Sequence, residues 1–222
     1  MTKPGEQLST EYASEAYPVR LDKIPNATIS WDERFLTELT ERRLDHYSSR
    51  QVPAFANLCD PALVSQAAFD EVVRMSMWSP RELIRILDTI VREHDDEHSL
   101  EAETRLLTQE SIDRALDKYS VEAVRRMFDR VHLQQLSRLR LQTFINKDVQ
   151  AAFRINAESA RNRIRSWVDA GIVTQTGSRQ AEGSAGGKPW YEYSITDLRV
   201  KRLITRDLNI GLELDDLGDV GA

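Results

Sequence analysis

The sequence predicts a mainly α-helical protein with a small β-hairpin near its carboxy-terminal end. Three observations support this fold class. Only 9 Gly and 7 Pro occur among 222 residues, and residues that favour helices are abundant. Capping patterns precede stretches in which apolar residues recur every three or four positions, the period of an amphipathic helix. Residues 172–195 differ, because two β-type runs there flank a Gly-rich stretch.

The composition narrows the class of protein further. A chain of 222 residues can form one or two compact domains. No stretch approaches the ~20 consecutive apolar residues of a membrane span, and the first residues lack the pattern of a secretory signal, so we expect no membrane partner. The single cysteine, Cys59, cannot form an internal disulfide, which favours a cytoplasmic location.

Charge divides the chain into three zones. Residues 1–137 carry 17 basic and 25 acidic side chains, whereas residues 138–206 carry 13 basic and 6 acidic ones. Residues 207–222 form an acidic tail without a basic side chain. A basic segment beside an acidic body is typical of a module that binds a polyanion, although ordinary variation in surface charge is the alternative.

Residues 29–135 are predicted to form a helical bundle, after an extended or disordered segment at residues 1–28. The capping box Ser30-Trp31-Asp32-Glu33 predicts the first helix. Asp60-Pro61 places a capping side chain before a proline suited to the first helical turn, which predicts the second helix. The pattern Ser79-Pro80-Arg81-Glu82 predicts a third, buried helix in the same way.

An acidic break is expected to end the third helix at residues 94–97. A helix at residues 108–118 should follow, and Ser120 is predicted to cap a further helix that extends to about residue 133. The two imidazoles of His94 and His98 could in principle hold a divalent cation, but a solvated helix end is the preferred interpretation, and no metal site is predicted.

Residues 136–206 show a different order of elements: helix, turn, helix, hairpin and closing helix. Asn146 and Asn156 are predicted to cap the two helices on either side of the turn. Gly171 stands where the second of these helices needs a residue tolerant of positive φ. Residues 177–188 are too long for a tight turn and predict an extended wing, and Thr196 is predicted to cap the closing helix. The packed side of the second helix is expected to comprise Ala157, Ala160, Ile164, Trp167 and Val168.

This order of elements resembles the winged helix-turn-helix family over residues 131–204. The run 156–173 resembles the recognition helix of that family and its exit to the wing, Ala170-Gly171-Ile172-Val173. The resemblance implies that the helix enters the major groove of double-stranded DNA. It implies base contacts from Ser159, Asn162, Arg163 and Ser166. It implies phosphate contacts from Lys147, Arg161, Arg165, Arg179 and Lys188.

Winged helices also serve as protein-docking or dimerisation modules, so a second interpretation stays open. Under it, the arginines of residues 161–165 are a solvated face. Glu158 and Asp169 on the outward side weigh modestly against tight DNA binding.

The helical half carries a second resemblance. The stretch 76–94, with Ser79-Pro80-Arg81-Glu82-Leu83-Ile84-Arg85, resembles the lid helix of AAA-type P-loop ATPases. The resemblance implies a nucleotide-sensor role for Arg81. Arg81 could also act on the nucleotide of another chain, or pair with acids of the bundle. Because a lid precedes a winged helix in several bacterial ATPases of the AAA and STAND type, the chain resembles the carboxy-terminal half of such a protein.

The chain lacks the phosphate-binding pattern Gly-x4-Gly-Lys-[Ser/Thr]. Residues 183–188 are the nearest match, but Glu182 and Pro189 occupy the positions of the first glycine and the hydroxyl residue. We therefore expect no catalytic residues and no cofactor. The sequence predicts a DNA-binding region of a P-loop ATPase. The alternative is a protein-interaction module that contacts an ATPase core or a second copy through the bundle.

Overall fold

The computed structural model describes residues 30–98, 106–179 and 190–208. Most of these residues are helical, and the fold class predicted from the sequence is confirmed. The first half contains helix α1 (Glu33–Tyr47), a 3₁₀ turn (Phe55–Leu58), and helices α2 (Ser65–Met75), α3 (Pro80–His98) and α4 (Gln109–Met127). The second half contains α5 (Arg130–Leu139), β1 (Thr143–Ile145), α6 (Asn146–Phe153), α7 (Ala157–Asp169), β2 (Val173–Arg179), β3 (Trp190–Ile195) and α8 (Leu198–Thr205).

Several predicted segments lie outside the described residues. They are the amino-terminal segment 1–28, the tip of the predicted wing with Lys188, and the acidic tail beyond residue 208. Within the part of the chain that the structure describes, no helix is both long and apolar enough to cross a membrane.

The starts of the first two helices differ from the prediction. Asp32, rather than Ser30, caps α1, and its Oδ1 accepts a hydrogen bond from the amide of Phe35 at 2.9 Å. Asp60 does not begin a helix, because its Oδ1 accepts from the amide of Ala62 in a turn at 2.8 Å. An aspartate that closes a local turn in this way is unavailable as a helix cap, so α2 begins only at Ser65.

The predicted acidic break in α3 is wrong, since the helix continues to His98. Two cations of α4 lie against the acidic stretch: Lys118 pairs with Glu93, and Arg114 pairs with Glu97. His94, in the same stretch, is buried. The neighbouring helix thus supplies the opposite charge that the local sequence lacks, and the helix persists.

Helix α4 is also continuous where two helices were predicted. Ser120 is buried in its middle, and its hydroxyl donates to the carbonyl oxygen of Leu116 at 2.6 Å instead of capping a helix. The break falls later, where Asp129 caps α5 by accepting from the amide of Val131 at 2.7 Å. A serine can bond back to the preceding turn as readily as it can cap, and here its burial against α4's neighbours decides the outcome.

The buried apolar residues form two clusters that meet within α4. The first extends from Leu36 to Ala123, and the second extends from Val124 to Leu203. Helix α8 connects them, because Arg202 reaches back to α2 and α4. Its guanidinium bonds Glu71 and Asp117 at 2.6 Å each, and Asp113 at 2.9 Å.

The sheet is three-stranded and antiparallel, in the order β1-β3-β2. Strand β1, which the sequence analysis missed, pairs Phe144 with Tyr193. Strand β2 continues to Arg179 through an irregularity between Gln175 and Gly177, so the predicted loop starts later than residue 177. Three residues are too short a run to reveal a strand by alternation, and only pairing with β3 defines β1.

Two predicted helix caps in this half are displaced by one residue. Asn146 is the first residue of α6, and the amide of Ile145 bonds the carboxylate of Asp148 at 2.8 Å. Asp197 rather than Thr196 caps α8, because its carboxylate accepts from the amide of Arg199 at 2.8 Å. Thr196 is occupied elsewhere, since its hydroxyl donates to the carbonyl oxygen of Ile172 at 3.0 Å.

Substituting alanine for Gly171 is expected to lower the free energy of unfolding by about 1 kcal/mol. Gly171 ends α7 with a φ of +71°, and an added Cβ would meet nothing within 4 Å. The cost therefore comes from the left-handed backbone alone. Urea denaturation measures it, and Gly177→Ala is the control, because no positive φ is imposed there. Equal stability of the Gly171 variant and wild type would contradict the expectation.

Candidate nucleic-acid interface

Helix α7 is set at its amino terminus by the cap that the sequence predicted. The side chain of Asn156 accepts from the amides of Glu158 at 3.1 Å and Ser159 at 2.8 Å. Before it, Arg154 ends α6 in the left-handed conformation, with a φ of 54°. This tight turn fixes the direction in which α7 leaves α6.

The packed side of α7 is narrower than predicted. Ala160, Ile164 and Trp167 are buried, whereas Ala157 and Val168 are exposed. The indole of Trp167 donates to Gln135 at 2.9 Å and meets the ring of Phe144 edge to face at 5.6 Å. Because α7 is anchored along one line of side chains, most of its circumference faces solvent.

The exposed side of α7 carries much of the predicted interface. Ser159, Arg161, Asn162, Arg165 and Ser166 are all exposed. Within the described residues, no hydrogen bond or ion pair occupies the side chains of Arg161, Asn162 or Arg165. Their donors and acceptors are therefore available to a ligand.

A shallow groove of about 570 Å³ runs along the carboxy-terminal half of this face. It is lined by His132, Asn162, Arg165, Ser166, Asp169 and Ala170. The lining combines a cation, an amide, a hydroxyl and a carboxylate within two helical turns. These four kinds of group can form directed hydrogen bonds with a polar ligand, and they do not favour an apolar one.

Arg163 is placed differently from the other predicted base contacts. Its guanidinium carbon lies 4.2 Å from the ring centroid of Phe153, and that of Arg138 lies 5.2 Å from the same ring. Burial, followed by the charge of Arg138, lowers the pKa of Arg163. The side chain thus covers the junction of α6 and α7 and lies at the flank of the exposed face.

A cation of α6 lies against the hairpin. The ammonium nitrogen of Lys147 lies 4.0 Å from the ring centroid of Trp190, which is a cation–π contact. Arg179 pairs with Trp190 across the two strands. One of the predicted phosphate contacts, Lys147, therefore lies over an aromatic side chain that was not among the predicted site residues.

Two further residues of this region escaped the sequence analysis. His132 lies 34 positions before Ser166, yet its Nε2 is 2.6 Å from the serine Oγ. Phe153 is half-buried against the second cluster, and the guanidinium groups of Arg138 and Arg163 lie over its ring. No local pattern indicates the first of these contacts, because the partners belong to different helices.

Arg81 is exposed on the first turn of α3, away from the residues of the second cluster. It makes no ion pair with the described residues. Its neighbour Glu82 is the bound carboxylate instead, accepting from Arg85 and from the hydroxyl of Tyr119 at 2.8 Å each. All three roles proposed for Arg81 from the sequence therefore stay predictions.

The remaining candidate reactive side chains are His94, His98 and Cys59. The rings of His94 and His98 meet edge to face at 4.7 Å. Among the described residues, no three or more His, Cys, Asp or Glu side chains are grouped so as to hold a metal. Burial raises the pKa of the Cys59 thiol, which disfavours the nucleophilic thiolate.

The chain matches no protein-family model and no curated protein. Chemically, the described surface offers two exposed arginines and an amide on α7, with Lys147 of α6 beside Trp190 of the hairpin. Cations of this kind bind phosphate oxygens, and the amide can bind a base edge.

Proposed function

We propose that this protein binds double-stranded DNA, with α7 in the major groove and the β2–β3 hairpin against the phosphate backbone. The observation that carries the proposal is the solvent-facing side of α7, where Arg161, Asn162 and Arg165 have no partner within the described residues. Arginines in the core of the same fold, such as Arg202, are all committed to carboxylates. Uncommitted arginines on one exposed helix favour an external anion.

The dimensions of α7 support this proposal. The helix has 13 residues, which corresponds to a length of about 20 Å. An α-helix fits the major groove, which is ~12 Å wide, and its outward side chains then face base edges. Asn162 can bind a base edge, while Arg161 and Arg165 at its flanks can reach phosphates.

Acidic groups on the same surface set a limit on the affinity. Glu158 lies in the first turn of α7 and Asp169 at its end, and both are exposed. Their repulsion from phosphate offsets part of the attraction of the arginines. We therefore propose moderate affinity with some dependence on base sequence, rather than strong binding to any duplex.

Fluorescence anisotropy with a labelled random duplex, across a salt series, tests the proposal. About four to six phosphate contacts predict a slope of log affinity against log salt of roughly −4 to −5. A matched single strand serves as the comparison, since groove insertion requires a duplex. Undetectable binding at low salt, or binding that salt does not weaken, would overturn the proposed function.

A second candidate function rests on a different surface. Ile84 and Val91, two turns apart on α3, and Trp78 just before that helix are exposed apolar side chains. They support docking of the bundle onto an ATPase core or a second copy, as the lid-like start of α3 and the exposed Arg81 also suggest. The P-loop ATPase relationship and a cytoplasmic location are part of this proposal.

Sedimentation velocity distinguishes the second candidate from the first. Self-association should depend on protein concentration and should be abolished by Ile84→Asp with Val91→Asp, while duplex binding is retained. A monomer at all concentrations would leave only an ATPase core as the partner, and failure to bind a purified core through the same residues would reject this candidate.

A further inference from the structure

The contact between His132 and Ser166 joins the start of α5 to the last turns of α7. The His132 Nε2 lies 2.6 Å from the Ser166 Oγ, which is a hydrogen bond in either direction. The other ring nitrogen, Nδ1, is buried and has no hydrogen-bond partner among the residues that the structure describes. Ser166 itself is exposed and lines the groove on α7.

The surroundings of the imidazole decide the direction of this bond. A neutral imidazole carries one proton, either on Nδ1 or on Nε2. A proton on Nδ1 would make it a buried donor without an acceptor. That arrangement costs more free energy than a buried acceptor nitrogen without a donor. The proton therefore belongs on Nε2, and His132 donates to the oxygen of Ser166.

This direction determines what Ser166 presents to the groove. Because its oxygen accepts from His132, its own hydroxyl proton is left to point outward. Ser166 then acts as a hydrogen-bond donor toward the groove, and the side-chain amide of Asn162 can supply a second donor there. Asn162, one turn earlier in the same groove, can donate or accept.

We propose that His132 is a positioning residue that holds Ser166 as a donor, so that α7 selects guanine at one base pair. This inference rests on the proposed DNA binding. Guanine exposes two adjacent acceptors, N7 and O6, in the major groove. Adenine offers one acceptor beside a donor, and cytosine offers a donor, so two neighbouring donors on the protein match guanine best.

The orientation of the hydrogen bond can be tested without DNA. The ¹⁵N chemical shifts of the His132 ring, measured by NMR at neutral pH, should identify the tautomer protonated at Nε2. A proton on Nδ1 would overturn the inference, whatever the protein binds. This measurement is therefore independent of the proposed function.

The base preference is tested with four variants on duplexes selected from a random library. Ser166→Ala and His132→Phe should each reduce the preference for guanine at one position by about three- to tenfold, the effect of one hydrogen bond. The double variant should lose no more than either single variant, because both remove the same interaction. His132→Gln, which retains a donor at similar reach, should preserve the preference. Thermal unfolding confirms that each variant is folded.

The outcomes separate this inference from the proposed function. Salt-dependent duplex binding without any base preference, or a Ser166→Ala variant that weakens all sequences equally, would overturn the role of His132 alone. The second result would mean that Ser166 contacts a phosphate. Absence of all duplex binding by the wild-type protein would overturn the proposed function, and with it the guanine preference.

Discussion

Replacing Arg202 by methionine is expected to lower the free energy of unfolding by about 3–5 kcal/mol, the usual cost of breaking a buried ion pair. Only 8% of the Arg202 side chain is exposed, and it binds three carboxylates. Methionine fills a similar volume but leaves Glu71 without its cation, while Asp113 and Asp117 keep only the more exposed Arg206, at 3.6 and 3.0 Å. The mutual repulsion and incomplete solvation of the three carboxylates then oppose folding.

The position of Arg202 explains why the effect should be global. The residue lies on α8, while its partners lie on α2 and α4. Burial by itself would lower the pKa of Arg202, but the bonds from Asp113 and Asp117 raise it, so the guanidinium stays charged. The loss of this cation should therefore separate α8 from the bundle, rather than disturb one helix.

Urea denaturation monitored by circular dichroism measures the change. The control is Arg42→Met, because Arg42 also pairs with one carboxylate, Glu38, but its side chain is 79% exposed. A surface pair of this kind contributes about 0–1 kcal/mol. If the Arg202 variant were no less stable than the control, the cluster would not hold α8 to the bundle.

Reversing the charge of both Arg161 and Arg165 to glutamate is expected to weaken duplex binding by about 100-fold or more at low salt. Each reversal removes a phosphate contact and adds a repelling charge, and one hydrogen bond between charged groups is commonly worth about 1.5–3 kcal/mol. The slope of log affinity against log salt should become shallower by about 2, at ~0.9 for each lost contact. Fluorescence anisotropy across a salt series measures both quantities.

The matched control for this variant reverses Arg42 and Arg92, which lie exposed on α1 and α3. It changes the net charge by the same amount on two helices that pack in the first cluster, whereas α7 packs in the second. Its affinity should fall by less than about threefold, since exposed charges beyond a Debye length are screened. Equal losses in both variants would show that net charge, rather than the face of α7, governs binding.

Local capping chemistry explains which helix starts were predictable. The starts of α3 at Pro80 and of α7 at Ala157 follow directly from Ser79-Pro80 and Asn156, because a cap acts within three residues. Ser120 and Thr196 have the same capacity, but a neighbouring turn or strand takes their hydroxyls. The residue type thus indicates where a helix can begin, and competing partners decide where it does begin.

Part of the candidate site could likewise be predicted from the sequence, and part could not. The polar face of α7 was readable from helical periodicity, which placed Arg161, Asn162 and Arg165 outward. Periodicity could not predict that Arg163 lies over Phe153, because the width of the buried side of α7 depends on how closely α6 packs against it. The DNA contacts themselves and Lys188, outside the described residues, stay predictions.

The sequence alone determined that the chain is mainly helical, that a hairpin follows α7, and that α7 has a polar outer face with exposed arginines, because these properties depend on residues within about one helical turn or one strand of each other. Tertiary structure decided the rest. The partners of His132, Arg202 and the acidic end of α3 lie on other helices, 17 to 131 residues away. Their charge and hydrogen-bond state follows from packing, which no local pattern encodes.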